Sequence, residues 1–153
     1  MVTRSVLLLL VCGLVAVGCE SQYQVRGMVF GADVEKSLVK VVREPERAPE
    51  GSVALENATV GLQVYRFPAD LVTDLPPYEY YSDKEGEFRF ELPETLLDLP
   101  TRLLIGAKTK YRIHCERVGY GVLTADVALP LERRERLLVI LKKLPLGEHP
   151  RTP

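Results

Sequence analysis

The stretch of sequence that decides the fold is YEYYSDKEGEFRFEL, residues 78–92. Residues 78–82 are rich in tyrosine, as β-strands often are, and residues 87–92 alternate between apolar and charged side chains. Asp83 and Gly86 lie between them and favour a turn, because aspartate bonds its own backbone and glycine accepts a left-handed conformation. The pattern predicts a β-hairpin.

The same period of two recurs along most of the chain. It predicts further strands over residues 22–30, 59–67, 102–108, 110–116, 122–129 and 137–141. Residues 34–44 fit either a helix or a strand, residues 44–56 resemble a polar loop, and residues 95–99 fit one helical turn. Because most strands have one apolar face, two such faces must meet to exclude water. We therefore expect an all-β, antiparallel β-sandwich.

The N-terminus predicts export from the cytoplasm. Arg4 precedes an apolar run over residues 6–17, which is shorter than the roughly 20 residues that a membrane-spanning helix needs. The run ends at Ala16-Val17-Gly18-Cys19, which resembles a bacterial lipobox. The resemblance implies cleavage before Cys19 and attachment of a lipid to it. Glu20 stands where aspartate would favour the inner membrane, so we expect the outer membrane, facing the periplasm.

The remaining chain is long enough for one domain. We expect a lipoprotein signal peptide over residues 1–18, a short lipid tether over 19–22, a sandwich domain over 23–144 and a tail over 145–153. About three residues would separate lipid and domain, and they reach roughly 10 Å when extended. The sandwich should therefore lie close to the bilayer.

Composition excludes some functions. The formal net charge is −1, so there is no basic excess to attract phosphate backbones, and we expect no nucleic-acid partner. Of three cysteines, Cys12 would leave with the signal peptide and Cys19 would carry the lipid. Cys115 is then alone, and an internal disulfide is excluded.

Four segments together resemble the carboxypeptidase regulatory-like domains. They are Val25-Arg26-Gly27-Met28-Val29, Asn57-Ala58-Thr59-Val60-Gly61-Leu62, the stretch from Ser82 to Phe90, and Leu138-Val139-Ile140-Leu141. The resemblance implies a seven-stranded, transthyretin-like (prealbumin-like) sandwich. It also implies a non-catalytic module used for stabilising, spacing or binding, with no shared active site to carry over.

Candidate chemistry is sparse in this sequence. Neighbouring strand residues point to opposite faces, so Cys115 should face inward while His114 and Glu116 face outward, and they cannot share one metal ion. The other histidine, His149, lies in the proline-rich tail. A hydrolase family with the same fold ends in Y-R-G-S, which this chain lacks. We expect no metal, no cofactor, no catalytic residue and no enzymatic activity.

Three tyrosines are the candidate contact surface. Tyr78, Tyr80 and Tyr81 offer a large amphipathic area at low entropic cost, and interfaces favour such residues. Alternation also allows a plainer interpretation. In it, Tyr78 and Tyr80 lie on one face and Tyr81 on the other, and some of them belong to the core.

These observations predict a lipid-anchored, non-catalytic binding or accessory module at the bacterial cell envelope. We expect it to contact the membrane through Cys19 and a protein partner through its domain. One alternative is a structural lipoprotein of a secretion complex such as type VI, in which a small outer-membrane lipoprotein has a transthyretin-like sandwich. A second alternative is a carrier of a small ligand or metal.

Overall fold

The computed structural model describes residues 22–44, 48–67, 78–93 and 108–145. These residues form strands and no helix, which confirms the expected all-β fold. No helix long and apolar enough to cross a membrane occurs in these ranges. The strands are β1 (Gln22–Ala32), β2 (Leu38–Arg43), β3 (Val53–Ala54), β4 (Thr59–Phe67), β5 (Tyr78–Tyr81), β6 (Glu87–Pro93), β7 (Lys108–Glu116), β8 (Leu123–Val127) and β9 (Glu135–Lys142).

The first sheet, called sheet A, has the strand order β2-β9-β1-β3, and β6 also pairs with β1. Its centre is a parallel pair, in which Gly27 of β1 lies beside Leu137 of β9. The purely antiparallel prediction is therefore wrong here, because the local pattern of two strands so distant in sequence carries no information about their relative direction. Apolar residues fill β9 from Leu137 to Leu141, as expected for a strand with neighbours on both sides.

The second sheet, called sheet B, has the order β5-β4-β7-β8 and is antiparallel throughout. Its central pair is long and regular, running from Thr59 beside Glu116 to Phe67 beside Lys108. The predicted bounds of β4 agree with the structure. Since side chains alternate along a strand, every second residue of this sheet points away from the core and forms an outer face.

The apolar core lies between the two sheets, as the alternation predicts. The side chains of Val25 and Val29 from sheet A, and of Val60 and Leu62 from sheet B, are fully buried. Each such side chain stabilises the fold by about 1.5–3 kcal/mol through its removal from water. A second apolar cluster lies on the opposite face of sheet A, so that the second half of β1 and most of β9 are buried on both faces. Its buried members are Phe30, Ala32, Val42, Leu138 and Ile140.

The turn after β5 lies where the sequence predicts it, but the prediction that β5 and β6 pair as a hairpin is wrong. Asp83 Oδ1 accepts hydrogen bonds from the N–H groups of Glu85 and Glu87, at 3.0 and 2.7 Å, and Gly86 has a φ of 76°. However, β5 pairs with β4 in sheet B, whereas β6 pairs with β1 in sheet A. The turn therefore carries the chain from one sheet to the other. Alternation identifies the buried face of each strand but does not identify its partner.

The structure decides some open predictions and leaves others untouched. Residues 34–44 contain the strand β2 and not a helix, and the predicted loop over 44–56 contains the short strand β3. With nine strands described, the count exceeds the expected seven. The predicted signal peptide over 1–18, Cys19, the helical turn over 95–99, the strand residues 102–107 and the tail beyond Pro145 lie outside the described residues.

Candidate functional site: a groove over Gly61

The three predicted contact tyrosines do not share one surface. Tyr78 is half-buried and packs against the core, while Tyr81 lies on the outer face of sheet B, opposite Thr59, and is 62% exposed. Tyr80 points the other way, with its ring edge-on to Phe90 and the ring centroids 6.5 Å apart. Alternation along β5 causes this separation. Of the three, Tyr81 has the ring that is most available to another molecule.

The start of β1 is held by the loop that precedes β9. The hydroxyl group of Tyr23 donates a hydrogen bond to the carbonyl oxygen of Leu131 at 3.1 Å and accepts one from its N–H. Partial burial raises the pKa of the Tyr23 hydroxyl group. The first residues of the domain are therefore fixed to the sandwich directly after Gln22.

Cys115 and its neighbours lie on opposite faces of β7, as predicted. The thiol group of Cys115 is fully buried, and this burial raises its pKa to about 12. His114 and Glu116 point to the outer face of sheet B, with His114 Nε2 3.7 Å from Glu116 Oε2. Within the part of the chain that the structure describes, no three His, Cys, Asp or Glu side chains are grouped as metal ligands.

A groove of about 370 Å³ crosses the outer face of sheet B. Its floor is Gly61 of β4, which pairs with Glu79 of β5 on one side and with His114 of β7 on the other. His114 in turn pairs with Thr124 of β8, so one row of residues crosses all four strands. We call this feature the Gly61 groove; its lining residues are Gly61, Gln63, Tyr65, Glu79, Arg112, His114 and Thr124.

Gly61 differs from the other strand glycines that the structure describes. A Cβ atom on Gly27 would lie 2.1 Å from Phe88 Cζ, and one on Gly31 would lie 2.1 Å from Tyr120 Cε1, so packing requires glycine at both positions. A Cβ atom on Gly61 would meet nothing closer than 3.9 Å, which is ordinary van der Waals contact. The fold itself therefore does not require the absence of a side chain at Gly61.

Two side-chain pairs keep the walls of the groove in place. His114 Nδ1 lies 3.0 Å from Thr124 Oγ1, and Arg112 Nε donates a hydrogen bond to Asp126 Oδ1 at 2.7 Å. The hydrogen bond raises the pKa of Arg112 and lowers that of Asp126, so both groups stay charged. The guanidinium group of Arg112 also covers the ring of Tyr65, 5.4 Å from the ring centroid.

A second depression, of about 440 Å³, is lined by residues of β1, β6 and β9 among others. Arg26 and Arg89 are direct cross-strand neighbours there, an arrangement that is unfavourable for like charges. Acidic residues offset them, and Arg136 Nη1 lies 3.7 Å from Glu44 Oε1. The charged lining residues are three basic and three acidic: Arg26, Arg89, Arg136, Glu44, Asp83 and Glu87. Since these charges balance, the depression has no evident preference for an anion.

Sequence reasoning missed the Gly61 groove. The alternation of β4 identifies its inward residues, but the groove depends on Glu79 and His114, which belong to strands far apart in the chain. One signal was available, because glycine in the middle of a strand pattern often marks a close approach to the backbone.

No protein-family model matches the sequence, and no curated protein matches it. Among solved structures, the chain is similar to 3-chlorocatechol 1,2-dioxygenase from Rhodococcus opacus 1CP, with 13% identity and a TM-score of 0.44. The match covers 84% of this chain, which spans 62% of the length of the dioxygenase. The similar structure is an enzyme, so this comparison does not support the expectation that the chain has no enzymatic activity. So distant a likeness transfers no reaction, and we assign none.

Proposed function

We propose that this chain is a lipid-anchored binding module of a bacterial envelope, held at the outer membrane by an acyl group on Cys19. The observation that carries the proposal is the position of β1. This strand begins at Gln22, three residues beyond the lipobox cysteine, and it lies in the middle of sheet A. A tether of roughly 10 Å would hold the sandwich against the bilayer surface.

For the fold, we propose a transthyretin-like sandwich of the carboxypeptidase regulatory-like kind. Two packed sheets support this proposal, as does the turn in which Asp83 bonds two backbone N–H groups and Gly86 adopts a positive φ. The residues of this turn belong to the most specific part of the sequence resemblance. The function proposed for the domain is to hold a partner molecule near the membrane.

Acylation is tested on the full chain expressed in a Gram-negative host. Mass spectrometry of the mature N-terminus should show Cys19 as the first residue, carrying fatty acyl groups, with the protein in the outer-membrane fraction. The Cys19→Ser variant should lack both the acyl groups and the membrane association. The matched control is Cys12→Ser, in the predicted signal peptide, which should be processed and acylated normally. A mature chain without lipid on Cys19 contradicts the proposal.

The Gly61 groove favours a second candidate function, in which the protein is a carrier of a small ligand. Its volume of about 370 Å³ lies within the range of small-molecule sites, about 300–1,000 Å³. Its walls carry hydrogen-bonding groups from all four strands of sheet B. The two functions are compatible, because a lipid-anchored carrier would hold its ligand near the membrane. Ligand binding by the purified protein tests this function separately from acylation.

A further inference from the structure

The Gly61 groove lies over a central strand, at a position where the backbone is buried by its neighbours but the fold has room for a side chain. Glycine weakens a strand, because it packs nothing and loses more conformational freedom on folding than any other residue. Gly27 and Gly31 are explained by the rings that cover them, but Gly61 is not. A glycine that packing does not require is expected where another molecule approaches the backbone closely.

The walls of the groove offer hydrogen bonds of both kinds. Glu79 contributes a carboxylate acceptor, and Thr124 contributes a hydroxyl group. Gln63 contributes amide donors, while its Oε1 accepts a hydrogen bond from the Tyr65 hydroxyl group. A ligand that suits these walls carries several groups that each donate and accept a hydrogen bond. Hydroxyl groups have this property, whereas ammonium groups only donate and carboxylate groups only accept.

The groove has no concentration of charge of either sign that would favour a strongly charged ligand. Arg112 is neutralised by Asp126, to which it is bonded at 2.7 Å. The carboxylate of Glu79 is exposed, and His114 lies on the opposite wall within hydrogen-bonding distance of Thr124. There is neither a cluster of positive charge for an anion nor a cluster of carboxylates for a cation.

Tyr81 adds an aromatic surface beside the groove. It lies on the same face of β5 as Glu79, two residues further along the strand, and its side chain is 62% exposed. An exposed tyrosine presents an apolar ring face together with a polar hydroxyl group. Sugar rings match such a partner, because they have apolar C–H faces and hydroxyl groups around the edge.

We propose that the Gly61 groove binds a neutral saccharide, with one ring lying over Gly61, hydroxyl groups bonded to Glu79 and Gln63, and a C–H face against Tyr81. This rests on the proposal that the sandwich is a binding module and names the chemical class of its ligand. It is independent of the anchor, because a saccharide site functions with or without a lipid on Cys19.

The test is an NMR titration of the purified ¹⁵N-labelled protein with two neutral disaccharides, cellobiose and N,N′-diacetylchitobiose. At least one of them should shift the amide signals of Gly61, Glu79, His114 and Tyr81. Glycylglycine, a zwitterion of comparable polarity, should leave these signals in place. The proposal is overturned if neither sugar shifts them, if the shifts map to sheet A, or if glycylglycine binds the groove as well as the sugars do.

Filling the groove separates binding from folding. Gly61→Val places a branched side chain on the floor, and we expect it to weaken saccharide binding by about tenfold or more. The same change should keep or raise the melting temperature, because valine favours a strand where space allows it. Sugar binding that survives in this variant contradicts the proposal.

A pair of glutamates provides a matched control in case Gly61→Val fails to fold. Glu79→Gln removes the charged acceptor in the groove, whereas Glu91→Gln makes the same change on an exposed position of β6 in sheet A. We expect weaker saccharide binding for the first variant and unchanged binding for the second. Equal binding by the two variants would also overturn the proposal. Neither result bears on the acylation of Cys19, so the two proposals fail separately.

Discussion

Ser82 Oγ accepts a hydrogen bond from the backbone N–H of Ala58 at 2.9 Å, and the Ser82 N–H bonds the Ala58 carbonyl oxygen at 3.0 Å. The hydroxyl group of Ser82 also donates to the carbonyl oxygen of Leu55. Ser82 is a polar residue, yet it is buried, with a relative exposure of 2%. One side chain thus connects the turn that leads to β6 with the segment that leads into β4.

The Ser82→Ala variant should lower the free energy of unfolding by about 1–3 kcal/mol, because it leaves a buried N–H and a buried carbonyl group without partners. Urea denaturation of the purified protein measures the change. Ser52→Ala is the matched control, since Ser52 Oγ bonds Pro49 O within a surface loop. We expect the control to change stability by less than about 0.5 kcal/mol. Similar losses in both variants would contradict this explanation.

The Gly27→Ala variant should destabilise the protein by about 1–3 kcal/mol, because the new methyl group would overlap the Phe88 ring and the backbone oxygen of Leu137. Gly61→Ala is the matched control in sheet B, where the methyl group finds space. It should stabilise the protein by about 0.4–1 kcal/mol through the smaller entropy of the unfolded chain. Chemical denaturation of both variants measures the difference, and a loss at Gly61 as large as that at Gly27 would refute it.

The buried thiol group of Cys115 should make the protein less stable at alkaline pH. The pKa of this thiol is about 12 in the folded protein, against about 8.5 for an unfolded cysteine. The unfolded chain therefore loses its proton first. The contribution of the neutral thiol to the free energy of unfolding is fully present below about pH 8.5 and is lost as the pH rises toward 12.

Denaturation midpoints of the native protein and of Cys115→Ala between pH 7 and 11 measure this dependence. The variant should be less stable at pH 7, because it leaves a cavity, but its stability should fall less steeply with pH. Slow reaction of the native thiol with an aromatic disulfide at pH 8 gives a second measurement. Parallel pH curves for the two proteins would contradict the prediction.

Tyr78 and Tyr81 should respond differently to truncation. Tyr78→Ala should lower the free energy of unfolding by about 1–3 kcal/mol, because Tyr78 packs against the core. Tyr81→Ala should change stability by less than about 0.5 kcal/mol, since its ring is exposed, but it should weaken disaccharide binding. Denaturation and NMR titration measure the two effects. If Tyr81→Ala binds the disaccharide normally, Tyr81 has no part in the site.

Local sequence patterns predict much of this fold but not the pairing of strands that are far apart in the chain. Alternation predicts that Val25 and Val29 share a buried face, and it predicts the bounds of β4. It does not predict that β9 lies parallel to β1, because that pairing depends on residues more than a hundred positions apart. The hairpin prediction is wrong for the same reason, since β6 finds its partner in β1.

The candidate site was harder to predict than the fold. The sequence identifies three tyrosines as candidate contact residues, but it does not show which of their rings can reach another molecule. That depends on the face of β5 that each ring occupies, and Tyr81 has the most exposed ring, on the outer face of sheet B. The groove needs Glu79, Gly61 and His114 in one row, which only the register of three strands provides. A glycine within a strand indicates a candidate site, but the residues that line the site belong to other strands and cannot be identified from the local pattern.

The parallel pairing of β1 and β9 has a mechanical consequence. A pull applied between the residue before Gln22 and the residue after Lys142 acts at opposite ends of two adjacent strands, along their common direction. The hydrogen bonds between these strands then bear the load together, in shear, and do not open one at a time. A domain tethered at one end and pulled at the other by a bound structure would resist extension along the axis on which the force acts.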